Sequence, residues 1–470
     1  MGKFSVPRFP GYAFRIFALG TALCFPRAFP AVRAESAATE SEKTESAQTE
    51  SARFATIRYG TETEIAALIE SLKNEQSDSL DDELIVLVQT TRNRSILQKV
   101  FAFFADRDKT GLEERAIRAI EERDQETNET VIAAVNYLGR LKAGNAVEPL
   151  RKLIGTRERR FMVSAIQALG KVSAADQETA RDTAEFLSAY YTDEEPPDEY
   201  RRDIITAVGE TGSSAGISFL TGIVSNTENR VTLRMAALEA LSKIGDKEGL
   251  PALIFAVSDG DPNVRSSAIA ALGPFTGEDV DKAILEAFRD SYYRTRISAA
   301  QASRVRRLEA AIPYLKFRCE QDDVPQVRDE SIRALGAINN RETDGILAAL
   351  FEERKNSDAV RIRAAEMLVT NNVEAYIEKV ITEMDDAKSR NQTALYNGLL
   401  KIVGAAKSDR LESLVRRFLG SGDTIERSFA LDMAANNNFR SLVEDIRPLT
   451  ENRNTSLARK AQLTLDKLSP

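Results

Sequence analysis

The sequence predicts an all-α protein, a right-handed α–α superhelix (a solenoid) of about 11 to 12 stacked helical hairpins. Three observations predict this fold. A unit of about 32 residues recurs along most of the chain, and the apolar residues within each unit follow the spacing of one helix face. The composition suits amphipathic helices, with 43% hydrophobic and 29% charged residues. At 470 residues the chain is also too long for one compact core.

The repeat is visible in one apolar position near the end of the first half of each unit. Successive copies of this position follow one another at a nearly constant spacing, and the longest interval separates Leu169 from Val208. The position is occupied by Phe103, Leu138, Leu169, Val208, Leu241, Leu272, Ser303, Leu335, Leu368, Leu400, Met433 and Leu465. So regular a spacing predicts units that stack, because no single unit is large enough to bury its own apolar side.

Each unit is predicted to contain two helices. The first has apolar residues at i, i+4, i+5 and i+8, and a second apolar-periodic segment follows, as in residues 248–259, 308–321 and 344–354. Pro251 lies near the start of its segment, where a missing N–H costs nothing. A glycine often follows the first segment and predicts a helix C-terminus. These glycines are Gly139, Gly170, Gly209, Gly273 and Gly336.

The clearest copies, residues 263–273 and 326–336, follow the pattern V-R-x-x-[AS]-I-x-A-L-G. This pattern resembles the short HEAT-like repeat first associated with phycobilin lyases. The resemblance covers about residues 95–470. The chain therefore looks like an exported bacterial member of the HEAT-repeat family. It implies a solenoid but little about activity, because such repeats occur in lyases, hydroxylases, DNA glycosylases and scaffolds. Tetratricopeptide and ankyrin repeats have similar periods, but their Trp/Tyr and Thr-Pro-Leu-His patterns are missing.

The N-terminus predicts export. Residues 1–34 contain five basic and no acidic residues, with an apolar run at residues 16–25 and small residues before Glu35, as in a signal peptide. Lipidation of Cys24 and an organelle transit peptide are the alternatives. Residues 35–53 are predicted to be a disordered acidic Thr/Glu/Ser linker, and residues 54–470 the HEAT-like solenoid. The predicted location is periplasmic or envelope-associated.

Composition excludes several kinds of site. The chain has no His, so a Ser/His/Asp or Cys/His catalytic set and a His-ligated metal site are impossible. Its two Cys cannot form a four-thiolate zinc site, and Cys319 is predicted to be a core residue. Residues 35–470 hold 59 basic and 72 acidic residues, which argues against nucleic acid as a partner. No cofactor is predicted.

The long interval between Leu169 and Val208 contains an acidic, aromatic segment that is predicted to be a loop because Pro196-Pro197 bars a helix. As a partner-binding loop it would offer aromatic anchors with a negative rim. The alternative is a solvated connector whose tyrosines pack on the neighbouring hairpins. Its candidate binding residues are Tyr190, Tyr191, Asp193, Glu194, Glu195 and Tyr200.

A second departure from the repeat is a basic island near residue 300. It could receive an acidic partner or the chain's own acidic segment, and the alternative is a set of exposed helix charges. Its candidate binding residues are Tyr292, Tyr293, Arg304, Arg306 and Arg307.

Six consecutive units carry an arginine at the same position, often after an acid such as Asp261, Asp323 or Asp358. These arginines are predicted to form a structural ladder, in which charge-assisted hydrogen bonds join neighbouring hairpins, as the HEAT resemblance also implies. The ladder comprises Arg201, Arg234, Arg265, Arg296, Arg328 and Arg361.

The function that fits these observations is a non-catalytic protein–protein interaction scaffold that binds a protein or peptide on the solenoid surface, outside the cytoplasm. The alternative is an enzyme subunit of lyase or isomerase type, or a chromophore-binding protein, which would need a deep pocket with an inward-facing carboxylate. The final copies, residues 391–470, lose the Arg and the Gly, so this end is either a cap over the core or an edge for self-association.

Overall fold

The computed structural model describes residues 50–469, and the chain divides into two compact units, Met1–Thr91 and Arg92–Pro470. In the first unit the described residues form three helices: α1 (50–59), α2 (Glu62–Glu75) and α3 (Asp81–Thr90). Residues 50–53, predicted to end the linker, are helical here. The predicted signal peptide, Cys24 and the rest of the linker lie outside the described residues.

The second unit is a series of helical hairpins, in which a first helix is followed by a second helix that returns beside it. The first helices are α4 (Arg94–Asp106), α6 (Asn128–Arg140), α8 (Arg159–Ser173), α10 (Asp198–Glu210), α12 (Val231–Ile244), α14 (Pro262–Ala271), α16 (Tyr293–Arg306), α18 (Pro325–Ile338), α20 (Asp358–Asn371), α22 (Thr393–Ala405), α24 (Thr424–Asn437) and α26 (Thr455–Leu468). The second helices are α5 (Glu113–Glu121), α7 (Val147–Gly155), α9 (Gln177–Asp193), α11 (Ile217–Ser225), α13 (Leu250–Ala256), α15 (Glu278–Ala287), α17 (Ile312–Gln321), α19 (Arg341–Glu352), α21 (Val373–Ser389), α23 (Glu412–Leu419) and α25 (Val443–Ile446).

Two layers of helices result from this order. Each first helix packs against the first helix of the next hairpin, from α4 on α6 through to α24 on α26, and forms the first-helix layer. The second helices pack against the first helices beside them and form the second-helix layer. No β-strand occurs in residues 50–469. The prediction of an all-α solenoid of about 11 to 12 hairpins is confirmed.

The core lies between the two layers and follows the repeat. Every residue at the recurring apolar position is at most 8% exposed, including Ser303, whose hydroxyl donates to the carbonyl oxygen of Ala299 at 2.8 Å. Because this bond satisfies the buried hydroxyl, the serine is tolerated where the other units have an apolar side chain. The shared core therefore runs through every unit from α4 to α26.

The recurring glycines lie at the C-terminal ends of the first helices, as predicted, since Gly273 follows the C-cap of α14 and the other four are in the last turn of their helices, but a left-handed conformation is not the reason for them. Gly139, Gly170, Gly209 and Gly336 lie inside their helices, and none has a positive φ. They occur instead where neighbouring first helices approach closely. A Cβ built on Gly170 would lie 2.5 Å from the carbonyl oxygen of Ala207, on the next first helix. Glycine is therefore required by the close contact between units.

Cys319 is a core residue of α17 and is 2% exposed. Burial strongly raises the pKa of its thiol, so the thiol stays protonated and unreactive. Within the part of the chain that the structure describes, no helix is both long and apolar enough to cross a lipid bilayer.

Candidate functional site

The six ladder arginines occupy one structural position, the fourth residue of a first helix. Each donates a hydrogen bond to a backbone carbonyl that precedes its own helix, as Arg265 does to Asp259 at 3.0 Å and Arg296 to Asp290 at 3.1 Å. The same role is filled by Arg201 with Pro196, Arg234 with Val224, Arg328 with Asp322 and Arg361 with Phe351. Every ladder arginine therefore holds the stretch of chain that leads into its own hairpin.

Three of these arginines also reach an aspartate in the turn of the following hairpin. Arg265 Nε lies 2.8 Å from Asp290, and Arg296 binds Asp322 through Nε and Nη2 at 2.7 and 2.8 Å. Arg234 pairs with Asp259 in the same way. The two-pronged geometry joins each turn to the next and is the strong form of an arginine–carboxylate pair.

The acids of the ladder differ from those that the sequence suggests. The paired residues are Asp259, Asp290 and Asp322, each two positions before the N-cap of a first helix. Asp261 is itself an N-cap, whose side chain accepts from the backbone N–H groups of Asn263 and Val264. Asp323 contacts Arg296 only at the edge of the pair, at 3.1 Å, and is 87% exposed.

The electrostatics of the ladder favour ionised aspartates. Burial alone would raise the pKa of Asp322, but the hydrogen bonds from Arg296 and from the backbone N–H of Val324 outweigh it and hold the pKa below its usual value. The pKa of Asp290 is lowered in the same way, by Arg265 and by the N–H of Tyr292. Both aspartates therefore favour the ionised form that the pairs require.

The ladder ends at α8, where the fourth residue is Met162. No ladder arginine fills the space between the turn before α8 and the turn before α10, and an open cleft of about 750 Å³ lies there. Its lining includes Met162 and two tyrosines, Tyr190 and Tyr200. The charged residues around it are Arg157, Arg159, Glu194, Asp198 and Glu199. We refer to this space as the ladder-gap cleft.

The acidic, aromatic segment is mostly helical and is not the loop that the sequence predicts. Residues up to Asp193 belong to α9, and α10 begins at Asp198, so only residues 194–197 form a turn. A proline cannot continue a helix and disfavours helix at the residue before it, but it does not prevent a helix from extending to a residue further upstream, here Asp193. The extra residues of this unit lengthen α9 to 17 residues.

The three tyrosines of the segment have different environments. Tyr200 is 6% exposed and belongs to the core edge, whereas Tyr190 and Tyr191 are half-buried. Tyr190 stacks on Phe186 with ring centroids 6.4 Å apart, and Tyr191 meets Phe219 edge-on at 5.0 Å. Burial raises the pKa of the Tyr200 hydroxyl, and the nearby Glu199 carboxylate adds to the effect. Tyr190 and Tyr200 line the cleft together.

Most acids of the segment are already paired, at its exposed rim. Glu194 pairs with Arg157, Glu199 with Arg159 at 2.9 Å, and Asp198 with Arg230 at 2.6 Å. Glu195, in the same turn, has no hydrogen bond or ion pair among the described residues. Asp193 lies exposed at the end of α9.

The basic island also pairs largely within its own part of the structure. Arg304 Nε lies 2.8 Å from Glu330, and Arg306 pairs with Asp281. Arg307 ends α16 in a left-handed conformation. No ion pair within residues 50–469 joins the island to the acidic segment, so the two do not come together.

The two tyrosines of the island also make their contacts with neighbouring side chains. The Tyr292 hydroxyl donates to Asn263 at 3.0 Å, and its ring meets that of Tyr293 edge-on. Arg294 Nε donates to the Tyr293 hydroxyl at 3.2 Å. These contacts make the island a self-contained cluster of α14, α15, α16 and α18.

Two further open clefts lie along the first-helix layer. One, of about 690 Å³, is formed by residues of α10, α12 and α14 that include Arg202, Met235 and Ser267. The other, of about 580 Å³, is formed by α4, α6, α8 and α10 and includes Asn136 and Gln167. Among residues 50–469, no three His, Cys, Asp or Glu side chains are grouped so that they could hold a metal ion.

A family model described as spirochaete HEAT repeat protein matches residues 57–464. No curated protein matches the chain. The family match includes residues of both compact units and the whole ladder.

Several solved helical-repeat structures are similar to the chain. A Kap121p mutant is 14% identical, with a TM-score of 0.46 over 93% of this chain and 55% of that one. Importin beta is also 14% identical and gives 0.46 over 89% of this chain and 65% of that one. Human deoxyhypusine hydroxylase is 17% identical and gives 0.25 over 59% of this chain and 98% of its own. The chain thus spans about half of Kap121p, and nothing about function follows from likenesses at these levels.

Proposed function

The chain belongs to the spirochaete HEAT repeat protein family, and from this premise we propose that it is a non-catalytic scaffold that binds a protein or peptide partner outside the cytoplasm. Its binding surface includes the ladder-gap cleft and the exposed face of the first-helix layer. The observation that carries this proposal is the ladder-gap cleft, which is open to solvent and combines aromatic with charged walls.

The shape of the cavities supports binding over catalysis. The clefts of about 750, 690 and 580 Å³ are all open, and none is a closed pocket with an inward-facing carboxylate of the kind an enzyme subunit would need. Side chains along them are spread over several hairpins. A surface built in this way suits an extended partner that contacts many units at once.

Aromatic side chains with fixed positions support the choice of the ladder-gap cleft as the anchor point. Tyr190 is held by its stack on Phe186, and Tyr200 is held in the core edge. Tyrosines that are already ordered lose little conformational entropy on binding, which is why they are common at the centres of interfaces.

The C-terminal end is proposed to be a cap and not an edge for self-association. The exposed side of α26 carries Arg459, Gln462 and Asp466, and the Gln462 amide donates to Asp466 at 2.8 Å. Leu463 is 54% exposed, but it is a single apolar side chain among polar ones. Polar outer faces are typical of capping repeats.

Export can be tested on the chain purified from native cells with a C-terminal tag. We expect an intact mass that corresponds to residues 35–470, because residues 1–34 have the order of a signal peptide. We also expect the chain in the envelope or periplasmic fraction. An acylated N-terminus at Cys24 would support export but place the cleavage before Cys24. A chain that retains Met1 and is found in the cytoplasmic fraction would overturn the export proposal.

Partner binding can be tested by capture from the native envelope fraction. Deletion of residues 190–199 is unsuitable, because it would remove the end of α9 and the start of α10. A triple variant, Tyr190→Ala with Glu194→Ala and Glu199→Ala, removes side chains from the cleft without shortening a helix. We expect this variant to lose at least one partner that the wild-type chain retains in a stoichiometric amount.

The matched control removes the same kinds of side chain from the second-helix layer: Phe255→Ala, Glu286→Ala and Glu320→Ala. Phe255 is 58% exposed, and both glutamates are exposed. This control should retain every partner. Identical partner sets for the wild type and both variants would refute the cleft as a binding surface.

A further inference from the structure

The ladder-gap cleft lies where a regular series of side chains ends. In the six first helices from α10 to α20 the fourth residue is an arginine, and in α8 it is Met162. Methionine is shorter than arginine and cannot donate a hydrogen bond. The turn before α10 therefore receives no guanidinium from a ladder arginine, unlike the turns before α14, α16 and α18, and the Arg157 guanidinium reaches it at Glu194.

The acid that would receive that guanidinium is nevertheless present. Asp259, Asp290 and Asp322 each lie two positions before the N-cap of a first helix, and the residue at that position before α10 is Glu195, since Pro197 is the N-cap. Glu195 is exposed and has no partner among the described residues. This unit thus keeps the carboxylate of the ladder and lacks the cation.

The walls of the cleft suit a planar cation. Tyr190 and Tyr200 line it, and an aromatic face attracts a guanidinium group within about 6 Å of the ring. The same protein uses this contact elsewhere in the segment, where the Arg201 guanidinium lies 5.5 Å from the centre of the Tyr191 ring. Three carboxylates and two arginines line the space, and Glu195 lies at its rim, between the lining residues Glu194 and Pro196.

We propose that the ladder-gap cleft binds an arginine side chain of the partner protein, which enters between the two turns and extends the ladder from outside. This inference rests on the proposed function, because it names the group by which the partner is recognised at that site. The arginine pairs with Glu195 at the rim of the cleft and stacks on Tyr190.

Arginine fits these walls better than lysine for two physical reasons. Its planar fork matches a carboxylate with two parallel hydrogen bonds, as Arg296 and Asp322 do within this chain. It also stacks flat on an aromatic ring and is less strongly hydrated than an ammonium group, so it loses less on entering a partly apolar cleft.

The test compares two small probes, N-acetyl-arginine amide and its neutral isostere N-acetyl-citrulline amide. Both are titrated into the full chain and followed by ligand-observed saturation-transfer NMR. We expect the arginine probe to bind about tenfold more tightly, because only it can form the ion pair. We expect this preference to weaken at about 0.5 M salt, because exposed charges are screened.

Two variants locate the binding site. Met162→Arg places a guanidinium of the chain's own in the cleft and should abolish the preference for the arginine probe. Val163→Arg is the matched control, since Val163 is the next residue of α8, is 39% exposed and does not line the cleft. It adds the same charge and should leave binding unchanged. Tyr190→Ala removes one wall while leaving Met162 in place, and should weaken the arginine probe several-fold.

Equal binding of the two probes would overturn the inference, as would an undiminished preference in both Met162→Arg and Tyr190→Ala. Should partner capture still depend on the cleft in that case, the scaffold function stands and only its arginine specificity fails. The opposite result is also informative. If the arginine probe binds selectively but the triple cleft variant loses no partner, the guanidinium site is supported and the scaffold function is contradicted.

Discussion

Replacing Asp322 with asparagine is expected to lower the free energy of unfolding by about 3–5 kcal/mol, the usual cost of removing one member of a buried ion pair. Asp322 is 3% exposed and accepts from Arg296 through two nitrogens and from Arg318 at 3.3 Å. Asparagine keeps the shape but leaves the buried Arg296 with only the exposed Asp323, at 3.1 Å, and removes the carboxylate that the part-buried Arg318 contacts. Urea unfolding followed by circular dichroism would measure the difference.

The control for this substitution is Glu286→Gln, in an exposed pair with Arg289. The two side chains are 2.7 Å apart and are 63% and 62% exposed, so we expect a change of about 0.5 kcal/mol or less. If Asp322→Asn costs no more than Glu286→Gln, the ladder does not join the hairpins in the way we describe.

The pH dependence of the same pair has a defined sign. The folded state lowers the pKa of Asp322, so the pair stabilises the fold above the unfolded-state pKa of about 4 and loses this contribution as the pH falls through the lower folded value. The difference in stability between wild type and Asp322→Asn should be constant near neutral pH. It should shrink below about pH 4.

Gly170→Ala is expected to destabilise the chain by about 1–3 kcal/mol, although alanine is normally the better helix residue. The added methyl carbon would lie 2.5 Å from the carbonyl oxygen and 2.8 Å from the Cα of Ala207. Both are backbone atoms of the neighbouring first helix, so relief requires the two hairpins to separate. The midpoint of thermal or urea unfolding would report the loss.

The matched control is Gly222→Ala in α11. Gly222 is exposed and helical, and a Cβ there would meet no heavy atom within 4 Å. We expect this substitution to stabilise the chain by about 0.5–1 kcal/mol through the ordinary preference of helices for alanine. Two Gly→Ala changes with opposite signs would show that the contact between units decides the outcome, and equal signs would contradict it.

The fold was predictable because the apolar residues that recur along the sequence are the residues that form the core. Each residue at the recurring position lies between the two layers, so the spacing along the chain equals the spacing between hairpins. The role of the glycines was not predictable in this way. Their identity suits a helix C-terminus, but the close approach of Gly170 to Ala207 depends on how two units pack in space.

The ladder was predictable in part. The arginines were visible because they recur in the pattern of the first helix, but the acids chosen from the sequence were the nearest ones along the chain. Asp259, Asp290 and Asp322 follow one another at the repeat period, so applying that period to acids would have found them. Met162, which stands at the ladder position in α8, was not singled out from the sequence. The cleft beside it could not be seen, because it depends on the distance between two turns.

The contact between α8 and α10 is uneven along its length, and this has a mechanical consequence. Near their C-terminal ends the two helices touch backbone to backbone at Gly170 and Ala207, whereas near their N-terminal ends they are linked by exposed ion pairs such as Arg159–Glu199 at 2.9 Å. Two helices in close contact at one end and joined at the other only by weak, solvent-exposed ion pairs can pivot about the close contact. A small rotation there changes the width of the opening while the hydrophobic interior stays covered, so this junction is the natural place for the stack to flex.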